Sequence, residues 1–162
     1  MNPLSTAMAA GAKAIEALPA GGQARAWGAI QKSHLALYRL SGRRLGTGFR
    51  GVRVLFLHHF GAKSGVERIS PLLYVEDGDN VAIIASKGGY VKHPAWFHNL
   101  KAHPDVRVEL RKEVRNVQAR EAAGDERERL WKKAAKAWPD YERYQRRAPD
   151  RKIPVVVLEP RA

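Results

Sequence analysis

The sequence predicts a mainly β domain of the α+β class, in which six strands form a small barrel and a few helices flank it. Six short runs are rich in β-branched and aromatic residues, and hairpin turns separate two pairs of these runs. Helical periodicity is confined to a few segments. With 162 residues, the chain fits one compact domain that buries a real core.

The N-terminal part is predicted to be helical and basic. Residues 1–22, rich in alanine, form a flexible or weakly helical segment. Residues 23–41 form an amphipathic basic helix, whose apolar stripe either caps the core or lies on an anionic membrane surface. Residues 41–51 form a mobile loop with four glycines and three arginines. Residues 23–50 are therefore one basic helix-and-loop segment, and residues 51–162 form the barrel domain. The stripe consists of Trp27, Ile30, His34, Leu37, Tyr38 and Ser41.

The barrel domain begins with a predicted meander over residues 52–59, 68–75 and 80–86. Asp77-Gly78-Asp79-Asn80 is typical of a hairpin turn between the second and third of these strands. A short helix over residues 94–101 and a second hairpin over residues 106–110 and 114–120 follow.

The C-terminal part is predicted to contain one more helix and a closing strand. Asp125 with Glu128 makes an N-terminal capping pattern, and the helix ends at Pro139. Its apolar face indicates that it docks on the sheet. Residues 153–158 are a dense aliphatic run, which is typical of a buried strand.

Charge and composition narrow the classes of function. The formal net charge is +13, and residues 17–66 contain no acidic residue, which favours an anionic partner. The absence of cysteine excludes disulfides and thiol catalysis. No run reaches transmembrane length and no signal peptide precedes the domain, so we expect a cytoplasmic protein that is soluble or peripheral on the membrane.

A junction at residues 85–100 suits a phosphate-bearing cofactor. It joins a predicted buried strand, a turn with Gly88 and Gly89, and a helix start at Pro94. Lys87 and Lys92 add positive charge. Free N–H groups at a helix start favour an anion, so we expect chemistry here.

Several spaced motifs occur in one order along the chain. They are residues 35–39, Gly61-Ala62-Lys63-Ser64-Gly65, Ser70-Pro71-Leu72-Leu73-Tyr74, residues 85–100, Trp138-Pro139-Asp140-Tyr141 and residues 153–160. Together they resemble one known family, the deazaflavin-dependent nitroreductases and quinone reductases of actinobacteria, which are split β-barrel proteins that use reduced coenzyme F420. The resemblance implies a six-stranded split β-barrel of the flavin-reductase or FMN-binding kind.

The resemblance also implies a cofactor site. Lys63 and Ser64 match the basic turn that holds the cofactor phosphate, and Arg68 supplies a second cation nearby. Pro71, Leu72 and Leu73 would lie along the deazaflavin ring. The remaining implied cofactor contacts are Ala85, Ser86, Lys87, Gly88, Gly89, Trp96 and Asn99.

The implied reaction is direct hydride transfer from the reduced deazaflavin to a quinone, a nitroaromatic compound or a similar electrophile. Tyr141 and Tyr144 correspond to aromatic residues over the open face of the ring, where the substrate stacks. Ser86 or Tyr141 would donate a hydrogen bond or proton to the reduced substrate, so Ser86, Tyr141 and Tyr144 are the candidate catalytic residues.

This chain departs from the family pattern at the first turn. His58-His59-Phe60 and Ala62 stand where relatives carry threonines and an Arg-Lys pair, which raises the alternative of a different flavin, FMN. His59 is either a catalytic acid or, the favoured interpretation, a strand-end residue bonded to a backbone carbonyl.

Other classes of function stay open beside the reductase. A split barrel that binds FMN, heme or another tetrapyrrole is one alternative, since a fold does not fix a function. A basic nucleic-acid-binding module is less favoured, because the aromatic residues fall in apolar helical stripes. His93, His98 and His103 lie around a helix and not on one face, so we expect no metal site. The sequence is compatible with a monomer or a homodimer.

Overall fold

The protein is described here by a computed structural model that covers residues 19–40, 48–49, 51–111 and 113–161. Residues 1–18 of the predicted segment 1–22 and most of the predicted loop over residues 41–51 lie outside the described residues. The side chains of Trp27, Ile30 and His34 in the predicted apolar stripe also lie outside them. The helix predicted to begin at residue 23 begins at Ala20.

The described residues form seven strands and four α-helices. The helices are α1 (Ala20–Leu40), α2 (Ala95–Ala102), α3 (Gly124–Ala137) and α4 (Asp140–Arg147), and Lys87–Gly89 form one 3-10 turn. The strands are β1 (Gly48–Phe49), β2 (Val52–Phe60), β3 (Glu67–Asp77), β4 (Asn80–Ile84), β5 (Asp105–Leu110), β6 (Glu113–Glu121) and β7 (Val155–Pro160).

The strands close into an antiparallel barrel. The sheet order is β1-β2-β3-β4-β7-β6-β5, and β5 pairs back onto β2. Strands β2 to β7 make the barrel, while the two residues of β1 add to the edge of β2. The predicted six-stranded barrel with flanking helices is therefore confirmed. The predicted hairpin at residues 77–80 is also confirmed, with Asp77 opposite Asn80.

Alternation along the strands separates two hydrophobic clusters. An interior cluster fills the barrel and includes Leu55, Leu57, Ile83 and Val108. A helix-covered cluster packs α3 and α4 against the outer face of the sheet and includes Ile84, Val155, Leu130 and Trp131. Each fully buried aliphatic side chain contributes about 1.5–3 kcal/mol relative to its exposed state. The two clusters thus cover opposite faces of the barrel strands.

Helix α1 is joined to the barrel through Tyr38. The ring of Tyr38 stacks on Phe56 with ring centroids 3.8 Å apart, and its hydroxyl donates to Glu109 Oε2 over 3.1 Å. His58 lies between two carboxylates, with Nε2 2.7 Å from Glu109 Oε1 and Nδ1 3.0 Å from Glu67 Oε1. The predicted contact between this helix and the core is therefore present at Tyr38.

The predicted end of α3 at Pro139 is confirmed, because α3 ends at Ala137, but a further helix, α4, follows directly and was not predicted. Two other predicted boundaries are wrong in part. The closing strand begins at Val155, since the Ile153 N–H donates to Gln145 Oε1 over 2.9 Å and Pro154 has no N–H to donate. Gly48–Phe49 belong to a strand where a loop was predicted.

None of the helices within the described residues has the length and apolar character needed to cross a membrane.

Candidate functional site

The turn between β2 and β3 is a closed structure that presents Lys63 to solvent. Its backbone is held by hydrogen bonds from Gly61 N to Val66 O (2.9 Å) and from Gly65 N to Gly61 O (2.8 Å). The side chains of Lys63 and Arg68 are exposed and form no ion pair with a residue of the described ranges. Two unneutralised cations on a fixed turn suit an anionic ligand such as a phosphate.

Asn99 anchors this turn from α2. Its Oδ1 accepts the Ala62 N–H over 2.9 Å, and its Nδ2 lies 2.9 Å from Nδ1 of His59. Both polar ends of the amide are thus used within the protein, and the side chain is buried. In this arrangement Asn99 supports the turn that carries Lys63, and its predicted cofactor contact stays a prediction.

His59 is a buried, neutral imidazole. Burial first, then the positive charge of Arg68 and the neighbouring His58, lowers its pKa from 6.5 to about 4. Nε2 lies 3.0 Å from Ser70 Oγ. The favoured interpretation, a strand-end histidine bonded to a backbone carbonyl, is wrong in its partner, because Asn99 and Ser70 side chains occupy both ring nitrogens.

The depressed pKa of His59 predicts an acid-sensitive fold. Since the unfolded chain binds the proton near 6.5 and the folded one only near 4, this group's stabilisation is complete above pH 6.5. This contribution to the free energy of unfolding is lost as the pH falls from 6.5 to 4. At about 1.4 kcal/mol per unit of pKa difference, the loss is on the order of 3 kcal/mol. Urea unfolding across this range should show a smaller acid loss in His59→Gln than in the wild type. A loss of equal size in both proteins would contradict the prediction, and His103→Gln, which changes an exposed histidine, is the control.

Alternation along β3 divides the predicted ring contacts. Leu72 packs against the interior cluster, whereas Leu73 packs against the helix-covered cluster. Pro71, which is paired with Phe56 of β2, lies two residues from Leu73 and therefore on the same face of β3. Neighbouring side chains of a strand point to opposite faces. The side chain of Leu72 therefore lies on the opposite face of β3 from those of Pro71 and Leu73, and the cofactor contacts of all three stay predictions.

The loop after β4 has an unusual backbone. Lys87, Gly88 and Gly89 all have positive φ, at 48°, 63° and 81°. Only glycine adopts this region without cost, so the lysine is held in a conformation that costs on the order of 1 kcal/mol or more. A Cβ on Gly89 would lie 2.7 Å from Tyr144 O and 2.9 Å from Tyr144 Cα, so this glycine permits close packing on α4.

One guanidinium holds this loop in place. Arg151 donates from Nη2 to Ser86 O (2.7 Å), from Nε to Tyr90 O (2.9 Å) and from Nη1 to Ala85 O (3.2 Å). Nη1 also lies 3.1 Å from His93 Nδ1. Sequence reasoning missed Arg151, because its partners are backbone carbonyl groups that leave no pattern in the sequence.

The side chains of this loop differ in exposure. Ser86 is buried, and its hydroxyl makes no hydrogen bond to a residue within the described part of the chain. Lys87 is exposed with Nζ 4.7 Å from the Tyr90 ring centroid, and desolvation, then the charges of Arg151 and Lys92, lowers its pKa. Ser86 is thus an unengaged hydroxyl beside an unpaired cation.

Three predicted contact residues lie in the hydrophobic clusters. Trp96 belongs to the interior cluster and is buried. Tyr141 and Tyr144 belong to the helix-covered cluster and are 6% and 8% exposed. Burial raises the pKa of Tyr141. Neither tyrosine ring presents an open face for stacking in this structure, which therefore does not place them as predicted. The predicted donor role of the Tyr141 hydroxyl and the predicted stacking role of both rings stay predictions.

The comparisons with known proteins agree on one family. The model of the family described as F420H(2)-dependent quinone reductase matches residues 30–160. The chain belongs to this family. An F420H(2)-dependent quinone reductase of Mycobacterium tuberculosis is 39% identical over 133 residues, which are 80% of this chain and 89% of the relative.

Two solved structures are similar to this F420H(2)-dependent quinone reductase family member. The F420-H2 dependent reductase FDR-A is 45% identical with a TM-score of 0.61, and the match covers 65% of this chain and 93% of that one. A structure described as a domain-swapped dimer is 39% identical with a TM-score of 0.61, covering 77% and 98%. The predicted family, fold and deazaflavin cofactor are confirmed, and the FMN alternative is not needed.

In this family member, α2 connects two groups of predicted site residues. Asn99 on α2 bonds the turn that carries Lys63, and His93, just before α2, contacts Arg151 of the loop group. Tyr141 lies in the helix-covered cluster on α4, the helix that packs against Gly89 of the loop group through Tyr144. Among the described residues, no group of three acidic, histidine or cysteine side chains is arranged to hold a metal ion.

Proposed function

We propose that this protein transfers a hydride from reduced coenzyme F420 to a quinone. The observation that carries the proposal is the family match over residues 30–160, which includes both the Lys63 turn and the Arg151-held loop. The cofactor, when bound, supplies the hydride. The protein binds it, orients it against the substrate and excludes water.

The residues present fit an anionic, flat cofactor. Lys63 and Arg68 are exposed and unneutralised among the described residues, and Ser64 lies in the same turn, so we assign these three to the phosphate. We assign Leu72 on β3 to the ring. The proposed edge and tail contacts are Ala85, Ser86, Lys87, Gly88 and Gly89. Arg151 bonds the carbonyl groups of Ala85 and Ser86 at one end of this stretch and of Tyr90 just beyond its other end.

Ser86 is the proposed catalytic contact to the substrate. Its hydroxyl makes no hydrogen bond within the described residues. It is therefore available to donate to the quinone oxygen that gains negative charge when the hydride is transferred. The proposed substrate-stacking role of Tyr141 and Tyr144 requires a displacement of α4 that exposes their rings. We therefore assign orientation of the reduced quinone to Ser86.

Replacement of Lys63 by alanine is expected to weaken binding of oxidised F420 by about tenfold, which corresponds to about 1.4 kcal/mol. The affinity falls because the substitution removes one of the two cations, Lys63 and Arg68, that we assign to the phosphate. Fluorescence titration measures the dissociation constant, with FMN as comparator ligand. Lys136→Ala, which removes an exposed lysine of α3, is the matched control.

Two results would contradict the proposed function. Wild-type protein that binds FMN more tightly than F420 would keep the fold but change the cofactor. Wild-type protein that binds F420 but does not oxidise its reduced form in the presence of a quinone would remove the reductase assignment. A nitroaromatic compound in the same assay tests the second predicted substrate class.

We further propose that α1 lies on an anionic membrane surface. Arg25, Lys32 and Arg39 are exposed and recur every seven residues, so they share one face of the helix. Each cation near such a surface contributes about 1 kcal/mol. In a flotation experiment with phosphatidylserine vesicles, the wild type should rise with the vesicles. A variant with Arg25, Lys32 and Arg39 all replaced by glutamate should stay in the bottom fraction. Equal flotation of both proteins would contradict the proposal.

The cytoplasmic location, the absence of nucleic-acid binding and the choice between monomer and homodimer stay predictions. One similar structure is described as a domain-swapped dimer, which favours a homodimer here. Size-exclusion chromatography coupled to light scattering measures the molar mass of the protein in solution. A mass near that of one chain would support the monomer.

A further inference from the structure

A chain of hydrogen bonds runs from the Lys63 turn to β3, and its direction is fixed. The Ala62 N–H can only donate, so the atom of Asn99 that lies 2.9 Å from it is the acceptor Oδ1. The amide nitrogen of Asn99 therefore faces Nδ1 of His59, 2.9 Å away, and donates to it. The neutral imidazole then carries its hydrogen on Nε2 and donates to Ser70 Oγ over 3.0 Å.

This arrangement turns Ser70 into an oriented donor. Its oxygen accepts from His59, so its own hydrogen points elsewhere, and it donates to no other residue of the described ranges. Ser70 lies on β3 between Arg68 and Leu72, two residues from each, so all three share one face. Those two neighbours are the residues assigned above to the cofactor phosphate and ring.

We infer that Ser70 is a further cofactor-binding residue whose hydroxyl donates a hydrogen bond to the bound deazaflavin, and that His59 and Asn99 are the positioning residues that set this direction. The inference rests on the proposed function. The same relay holds the turn that carries Lys63. One rigid unit thus fixes both the cation for the phosphate and the donor between phosphate and ring.

Replacement of Ser70 tests the donor. We expect Ser70→Ala to weaken F420 binding by about fivefold to tenfold, the usual effect of losing one hydrogen bond. Ser70→Thr keeps the hydroxyl on a strand-compatible side chain and should bind within about twofold of the wild type. Ser33→Ala, which removes an exposed hydroxyl of α1, is the control. Unchanged binding in Ser70→Ala, with weakened binding in Lys63→Ala, would overturn the inference and leave the proposed function standing.

Asn99→Asp tests the relay because it reverses the direction with little change of shape. The carboxylate still accepts the Ala62 N–H, but it can only accept from His59, which must then carry its hydrogen on Nδ1. Nε2 would accept from Ser70, whose hydrogen is no longer free for the cofactor. We expect the same loss of affinity as in Ser70→Ala, and no further loss in the double variant. Losses that add would overturn the relay.

A measurement without cofactor separates the relay from the function. Nitrogen NMR of the histidines near pH 8, where His59 is neutral, should show the Nε2–H form in the wild type and the Nδ1–H form in Asn99→Asp. An Nδ1–H wild type would overturn the relay. Wild-type protein that binds no F420 would overturn the Ser70 assignment together with the proposed function, whereas the NMR result would still decide the relay.

Discussion

Replacement of Arg151 by alanine is expected to lower the free energy of unfolding by about 3 kcal/mol and the melting temperature by roughly 9 °C for a domain of this size. The guanidinium donates to the carbonyl groups of Ala85, Ser86 and Tyr90. Hydrogen bonds from a charged donor contribute more than neutral ones. Water at the half-buried site offsets part of the loss. Thermal unfolding measures the change.

The rate of quinone reduction by Arg151→Ala should fall by more than the loss of folding stability alone would cause. The Arg151-held backbone carries the proposed contacts of Ser86 and Lys87, and a misplacement of about 1 Å costs roughly 100-fold in rate. Arg151→Lys should lose nearly as much, because an ammonium cannot span three carbonyl groups as the planar fork does. Arg146→Ala, an exposed arginine of α4, is the control. Equal melting temperatures and rates for Arg151→Ala and Arg146→Ala would contradict the role of the guanidinium.

Replacement of Gly89 by alanine is expected to destabilise the fold by about 3 kcal/mol or more, from two separate causes. The positive φ of 81° disfavours any side chain, at about 1–2 kcal/mol. The new Cβ would lie 2.7 Å from Tyr144 O and 2.9 Å from Tyr144 Cα, which are backbone atoms of α4 and cannot rotate away. Urea unfolding measures the sum of both costs.

Gly78→Ala separates the two causes. Gly78 has a φ of 63° in the β3–β4 hairpin, and a Cβ there meets nothing within 4 Å. It should therefore show the conformational cost alone, about 1 kcal/mol. A Gly89→Ala variant no less stable than Gly78→Ala would mean that α4 does not rest closely on this loop.

The barrel was predictable because its strands carry local patterns. Alternation and β-branched residues located β2, β3 and β4, and the residues 77–80 have the composition of a tight turn. Helix α4 was missed because only Tyr141 and Tyr144 of its eight residues are apolar, and both lie on one face. A stripe of two residues is too short to stand out from the surrounding charged positions.

The candidate site could be predicted only through resemblance, and its cofactor contacts stay predictions. The structure shows only that Lys63 lies in the turn between β2 and β3 and that Gly88 and Gly89 lie in the loop after β4. The sequence could not tell whether Asn99 meets a ligand or a backbone N–H, since an amide serves both equally. Likewise, Tyr141 matches an aromatic motif whether its ring faces a substrate or the core. Arg151 bonds carbonyl groups, which every residue supplies, so no residue pattern marks it.

The contact of Tyr38 with the barrel decides where the chain can be shortened. Phe56 is covered by the Tyr38 ring, and the Tyr38 hydroxyl reaches the carboxylate that His58 also bonds. A protein that began at Gly51 would open an aromatic face and a buried His–Glu pair to water. Such a protein would bind vesicles or aggregate through that new apolar surface, whatever the charge of α1. Any shortened form intended for assay or crystallisation should therefore begin before Tyr38.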